Sequence, residues 1–227
     1  MTYVSNPVTE REVTIPAARR GLPGTLALPA QPGGIVLFAH GSGSSRLSPR
    51  NQAVARQLRA AGLGTLLFDL LTEDEAAVRT RVFDIGLLAR RLRTATEWVN
   101  MQPEARGLLL GYFGASTGAA AALKSAADTG FPVHAVVSRG GRPDLAGDDL
   151  PRVTAPTLLI VGSGDETVLE LNRLAFARLR CPKRLVVVPG ASHLFEEPGT
   201  LEEAGRWAAE WFERHLSPGG RSMQREA

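Results

Sequence analysis

The stretch "LLLGYFGASTGAAA", residues 108–121, decides how the chain is read. An apolar run gives way to Gly, Ala, Ser and Thr, then to an alanine series that suits a helix. Small residues bury little surface, so their place at a strand end implies a sharp bend or the close approach of another segment. Gly114-Ala115-Ser116-Thr117-Gly118 fits the pattern Gly-x-Ser-x-Gly between a strand and a helix. A serine at such a turn takes strained backbone angles, and small neighbours leave it room. The helix start behind it supplies N–H groups and partial positive charge.

Outward from that turn, further apolar runs of strand length recur: "IVLFAH" (35–40), "TLLFD" (65–69), "GLLLGY" (107–112), "VHAVVS" (133–138), "TLLIVG" (157–162) and "RLVVVPG" (184–190). They are continuous rather than alternating, as strands buried on both faces are. Helical segments are expected between them, over about 50–62, 76–101, 117–128, 167–179 and 200–216. "REVTIP" and "GTLALP" near the amino end read as an antiparallel hairpin. Strand–helix alternation of this kind gives a doubly wound, mostly parallel α/β sheet.

Ligands of open α/β sheets bind at the carboxyl ends of the strands. Four of those ends carry small residues with a polar group: "HGSGSSR" (40–46), "GASTG" (114–118), "GSGDE" (162–166) and "GASHLF" (190–195). A serine hydroxyl needs a base, and His193 lies in the loop after the last strand. Of the other histidines, His134 falls in a strand, His215 near a helix end, and His40 at the end of the first long strand. A carboxylate must orient the base. Asp165 follows the preceding strand at the same edge, with Glu166 beside it as an alternative. The oxyanion donors read as the amides of Thr117, after the nucleophile, and Ser42, in the glycine loop 41–43. That loop is neither a dinucleotide fingerprint, which needs Gly where Arg46 stands, nor a P-loop.

With these motifs in place the chain resembles the α/β-hydrolases, nearest to the small, capless dienelactone hydrolase-like branch. The likeness runs over about residues 10 to 216, carried by "FAHGSGSSR", "GYFGASTGAA", "VGSGDETV" and "PGASHLF". The order Ser116, Asp165, His193 is the family's order. The resemblance implies an eight-stranded, mostly parallel sheet with the second strand antiparallel, and ester-type hydrolysis through an acyl-enzyme. It implies a small-molecule ester, thioester or lactone as substrate and no cofactor or metal. One departure is plain: dienelactone hydrolases carry Cys at the nucleophile position and this chain carries Ser116. The acyl-transfer class survives that change; dienelactone as the substrate does not follow from it. The competing reading is a non-catalytic member of the fold that binds a ligand or partner.

The 138–157 connection is too short for a helical lid, so an open site is expected, with one helical turn near 143–148. Arg46, Arg50, Arg139 and Arg142 all fall at the catalytic edge, as an anion-binding cluster or as arginines that merely hold loops. Arg46, Arg142, Phe113 and Phe195 are the candidate substrate contacts. Trp98, Trp207 and Trp211 read as core anchors.

The bulk composition sets limits. The 227 residues carry a formal charge of only +3, with 44% hydrophobic and 22% charged residues. Basic and acidic residues are mixed along the chain, which argues against a nucleic-acid tract. Cys181 alone can form neither an internal disulfide nor a metal cluster. No signal-peptide pattern or membrane-length apolar run is seen, so a cytoplasmic protein is expected. One domain is expected over 1–216, with 217–227 as a disordered tail. The oligomeric state is not legible.

Overall fold

β1 (Val8–Ile15) and β2 (Leu22–Pro29) form the antiparallel hairpin expected at the amino end. β2 then pairs antiparallel with β4 (Gly64–Phe68), and every later pairing is parallel. With β3 (Ile35–Ala39), β5 (Leu110–Ala115), β6 (Ala135–Arg139), β7 (Thr157–Gly162) and β8 (Lys183–Val188), the sheet has eight strands in the order β1-β2-β4-β3-β5-β6-β7-β8. This computed structural model describes residues 7–217 apart from 18, 19, 129 and 131. The expected tail therefore lies, but for Ser217, outside the described residues. No described helix is long and apolar enough to cross a membrane.

Helices cover both faces, and strand alternation sorts the core between them. Val36 and Phe38 of β3 and Phe113 of β5 pack beneath α1 (Pro49–Ala60) and α7 (Thr200–Leu216). Leu37 and Tyr112 face the opposite layer, with α4 (Ile85–Met101), α5 (Thr117–Ala126) and α6 (Glu166–Arg178). Of the tryptophans, Trp211 is buried, while Trp98 and Trp207 are half-buried against the two layers.

Two elements differ from the sequence expectation. β5 starts three residues later than 107 and runs through Gly111 to Ala115. Its small residues belong to the strand because helices press on it: a Cβ on Gly111 would lie 2.6 Å from the Phe212 ring of α7. The single helix expected over 76–101 is three. Thr72 closes a capping box with Glu75 over α2 (Glu73–Ala76), α3 (Arg79–Val82) follows, and Asp84 restarts the chain by accepting the Leu87 N–H at 2.9 Å. Each side-chain cap satisfies amides that a continuous helix would have bonded internally.

No cap domain is inserted. The β6–β7 connection holds short 3-10 turns over Pro143–Arg152, longer than the one turn expected. Ala146 and Leu150 bury themselves against the core on the α5 side, and Lys124 and Arg178 pair with Asp149 and Asp148. The segment is packed down as part of the helical layer.

Candidate active site

Ser116 sits between β5 and α5 with φ 50° and ψ −124°, a left-handed geometry that L side chains rarely adopt. The two motif glycines explain how the turn fits. A Cβ on Gly114 would stand 2.4 Å from the Ala119 backbone, and one on Gly118 would stand 2.0 Å from the Ala39 carbonyl oxygen. The turn is pinned by its own backbone: the Ser116 carbonyl accepts from Arg142 N at 3.0 Å and Ala119 N at 3.1 Å. The Thr117 amide stands at the first helical position, where no intrahelical acceptor exists.

His193 lies in the loop after β8, which folds back over the end of β7. The Gly164 amide donates to the Ala191 carbonyl at 2.9 Å, and the Ser192 amide to Glu197 at 3.0 Å. His193 Nδ1 stands 2.6 Å from Asp165 Oδ2. Asp165 is the residue just before α6 and its side chain is mostly shielded, so its carboxylate stands at the sheet edge beside the imidazole. Glu166 begins the helix and is exposed. Of the two acids the sequence left open, the geometry pairs Asp165 with His193. Nδ1–H donating to Asp165 leaves Nε2 as the ring's free acceptor. Ser116 and His193 line one cleft of about 90 Å³.

The glycine loop packs on Ser116: a Cβ on Gly41 would meet Ser116 Cβ at 2.9 Å. The Ser42 amide, expected to be free for an oxyanion, instead donates to Thr117 Oγ1 at 2.9 Å. The Thr117 hydroxyl occupies it. His40, left without a role by the sequence, fixes the same peptide unit. Its Nδ1 donates to the Gly41 carbonyl at 3.0 Å while Nε2 accepts the Leu70 amide at 3.0 Å. A peptide is planar, so holding the Gly41 C=O aims the Ser42 N–H the opposite way. Burial lowers the His40 pKa from its ordinary value, against smaller raising effects of the Gly41 carbonyl and Asp69. The ring is neutral, as its two bonds require.

The candidate substrate contacts fare differently. Arg46 is bound twice to Asp69, through its amide at 2.7 Å and Nη1 at 2.8 Å. Arg142 holds Asp144 through two bonds at 2.9 and 2.8 Å. Phe113 and Phe195 do not reach the site: strand alternation turns Phe113 against Phe38 at 4.9 Å between ring centroids, and both rings are core. Of the four arginines placed at this edge, Arg50 of α1 and Arg139 line the cleft, Arg139 being the last residue of β6 and only 6% exposed. Beyond the small cleft, and sharing Ser44, Ser48 and Arg50 with it, a groove of about 670 Å³ runs between the glycine loop and α2–α4.

A dienelactone hydrolase from Anabaena variabilis, known as a crystal structure, is 54% identical to this chain. It superposes with a TM-score of 0.88 over 92% of this chain and 99% of its own. The chain belongs to the dienelactone hydrolase family. Its fold is the α/β-hydrolase fold, shared at 23% identity and a TM-score of 0.74 with an esterase domain from Rhodothermus marinus, over 92% of this chain and all of that one. A Mycobacterium tuberculosis protein provisionally named a phosphoribosyl transferase is 57% identical over 216 residues. That match takes in 95% of this chain but 49% of the relative, so the chain spans about half the length of the curated relatives it matches first. No family model matches.

Proposed function

We propose that the protein is a serine hydrolase that cleaves a carboxylic ester, thioester or lactone through an acyl-enzyme. The reading is carried by one observation: a serine strained at a strand-to-helix turn shares a cleft with a histidine already paired to a carboxylate. Ser116 Oγ attacks the carbonyl carbon while His193 Nε2 takes its proton, and Asp165 stabilises the imidazolium. The Thr117 N–H and the Ser42 N–H hold the developing oxyanion. In the free enzyme Thr117 Oγ1 is the stand-in acceptor for Ser42, so the amide is oriented before substrate arrives and changes partner when the oxyanion forms. His193 then protonates the leaving alcohol or thiol, and water, activated by the same base, releases the acid.

The name of the tuberculosis relative describes a protein about twice as long, of which the match covers 49%. A fluorophosphonate probe tests the proposal. Wild type should be labelled on Ser116 and lose hydrolysis of p-nitrophenyl acetate in parallel. Ser116→Ala should take up no label and lose at least about 10³-fold in turnover, as removal of a triad nucleophile does. An unlabelled wild type without esterase activity would leave the fold as a binding scaffold and end the proposal.

A further inference from the structure

Asn172 lies on the buried stripe of α6 with Val168 and Ala175, and none of its surface reaches water. Leucine or alanine would suit such a place better, since asparagine is a weaker helix former and its amide is costly to bury. Its Nδ2 donates to the Gly141 carbonyl at 3.0 Å and to the Val168 carbonyl at 2.8 Å. Both partners can only accept, so the nitrogen is the atom that faces them, and both its N–H groups are used. Oδ1 is buried without a partner, so the amide is held there for what its nitrogen does. The Val168 bond is local to the helix. The Gly141 bond crosses to a segment 31 residues away in the chain.

That segment, residues 139–142, grips the Ser116 turn on both sides. The Ser116 amide donates to the Arg139 carbonyl at 3.4 Å, and the Ser116 carbonyl accepts the Arg142 amide at 3.0 Å. The direction of a carbonyl follows its residue's ψ, so the Arg142 N–H helps to hold Ser116 at ψ −124°. Gly141 C=O and Arg142 N–H belong to one planar peptide and point opposite ways. Asn172 holds the oxygen end of that peptide, and the nitrogen end holds Ser116. The sheet supplies another anchor, as the Gly140 amide donates to the Ile160 carbonyl at 2.8 Å. Gly141 is wedged between these contacts: a Cβ there would stand 2.0 Å from Ser138 Oγ and 2.5 Å from Ala119 Cβ.

We propose that Asn172 is a positioning residue: through the Gly141–Arg142 peptide it keeps Ser116 in its strained turn, with Oγ aligned for His193. α6 then serves the site twice. Asp165, at its start, meets His193, and Asn172, two turns further on, holds the serine. The proposal rests on the hydrolase reading above.

The test uses Asn172→Leu, of similar size but without N–H groups, and Asn172→Asp, which donates one hydrogen bond only while protonated. Labelling by a fluorophosphonate is followed in time, and rates are taken per serine labelled at completion, so that loss of folded protein does not count as slow chemistry. In Asn172→Leu the maximal labelling rate should fall by about 10–100-fold with the half-saturating probe concentration within about 2-fold, as for a misplaced reacting atom. In Asn172→Asp burial raises the pKa of the new carboxyl, so its rate relative to wild type should fall as pH rises and the donor is lost. A side chain that merely packed α6 would lower Tm and leave both rates per site and the pH ratio unchanged; that result overturns the proposal. A second measurement needs no chemistry at Ser116. The Tm difference between Ser116→Gly and Ser116→Ala reads the strain at residue 116, and it should shrink when Asn172→Leu is added to both. An unchanged difference overturns the proposal even where rates fall. Should wild type take up no label while the Tm difference still shrinks, the hydrolase reading falls and the hold of Asn172 on the turn stands. If Asn172→Leu does not fold, Asn172→Asp decides through the same two measurements.

Discussion

The strain at Ser116 can be weighed by comparing Ser116→Gly with Ser116→Ala. Both lack the hydroxyl, so their difference reports on the backbone alone. At φ 50° and ψ −124° the Cβ of residue 116 is forced toward its own backbone, and the Gly41 segment crowds it from outside. Residues held in such regions carry roughly 1–3 kcal/mol of strain. Glycine has no Cβ to strain, but its unfolded chain is freer, which offsets about 0.5–1 kcal/mol. The net expectation is that Ser116→Gly is more stable than Ser116→Ala by about 1 kcal/mol. For a chain of this length that is a rise in Tm of about 2–4 °C. Scanning calorimetry on the two purified variants reads it directly. A glycine variant no more stable than the alanine variant would mean that residue 116 is not strained, and the account of why a serine is held there would fail.

Asp165→Asn should keep the fold and lower kcat by up to about 10⁴-fold by presenting the wrong tautomer of His193, whereas Glu166→Gln should stay near wild type; reversed results would move the carboxylate by one residue. His40→Phe should lose about 2–3 kcal/mol at pH 8, because the Gly41 carbonyl and Leu70 amide both lose their partner. His40 has a folded pKa below its ordinary 6.5, so its stabilisation is fully present above that value and is lost as pH falls through the lowered one. The gap between wild type and His40→Phe in urea unfolding should therefore shrink on acidification, and a gap that widens would refute the neutral-ring assignment. Along a series of p-nitrophenyl esters, kcat/KM should rise by at most about 4-fold per CH₂, the equivalent of about 0.8 kcal/mol, and level off at short chains because the uncapped groove encloses few methylenes. A maximum at ten or more carbons would contradict an open site.

What could be read from the sequence follows a physical division. The strand ends, the glycine turn at residue 116 and the loops holding Asp165 and His193 are local features, and each announces itself through residue types a few positions apart. The choice between Asp165 and Glu166 is not local. Both flank one helix start, and only the docking of the β8 loop decides which carboxylate meets the imidazole. The occupation of the Ser42 amide depends on a contact with Thr117, 75 residues away. Small residues misled where they served packing: Gly114 and Ala115 read as part of the turn but belong to strand β5, where Gly114 packs against the Ala119 backbone. Phe113 and Phe195 lie near Ser116 and His193 in the chain, yet alternation and loop geometry turn both rings inward.

Phe195 connects these observations. It and Ser116 are the non-glycine residues with positive φ among those described, at 57° and 50°. One stands at the proposed nucleophile, the other two positions after the proposed base. The strain that turns Phe195 inward sets its ring against the Arg139 guanidinium. Arg139 in turn accepts the Ser116 amide through its carbonyl at 3.4 Å. The Ser116 turn and the His193 loop are therefore braced through one residue, which also lines their common cleft. An apolar one of similar length would avoid the desolvation that Arg139 bears, so this brace carries a burial cost that an apolar one would not.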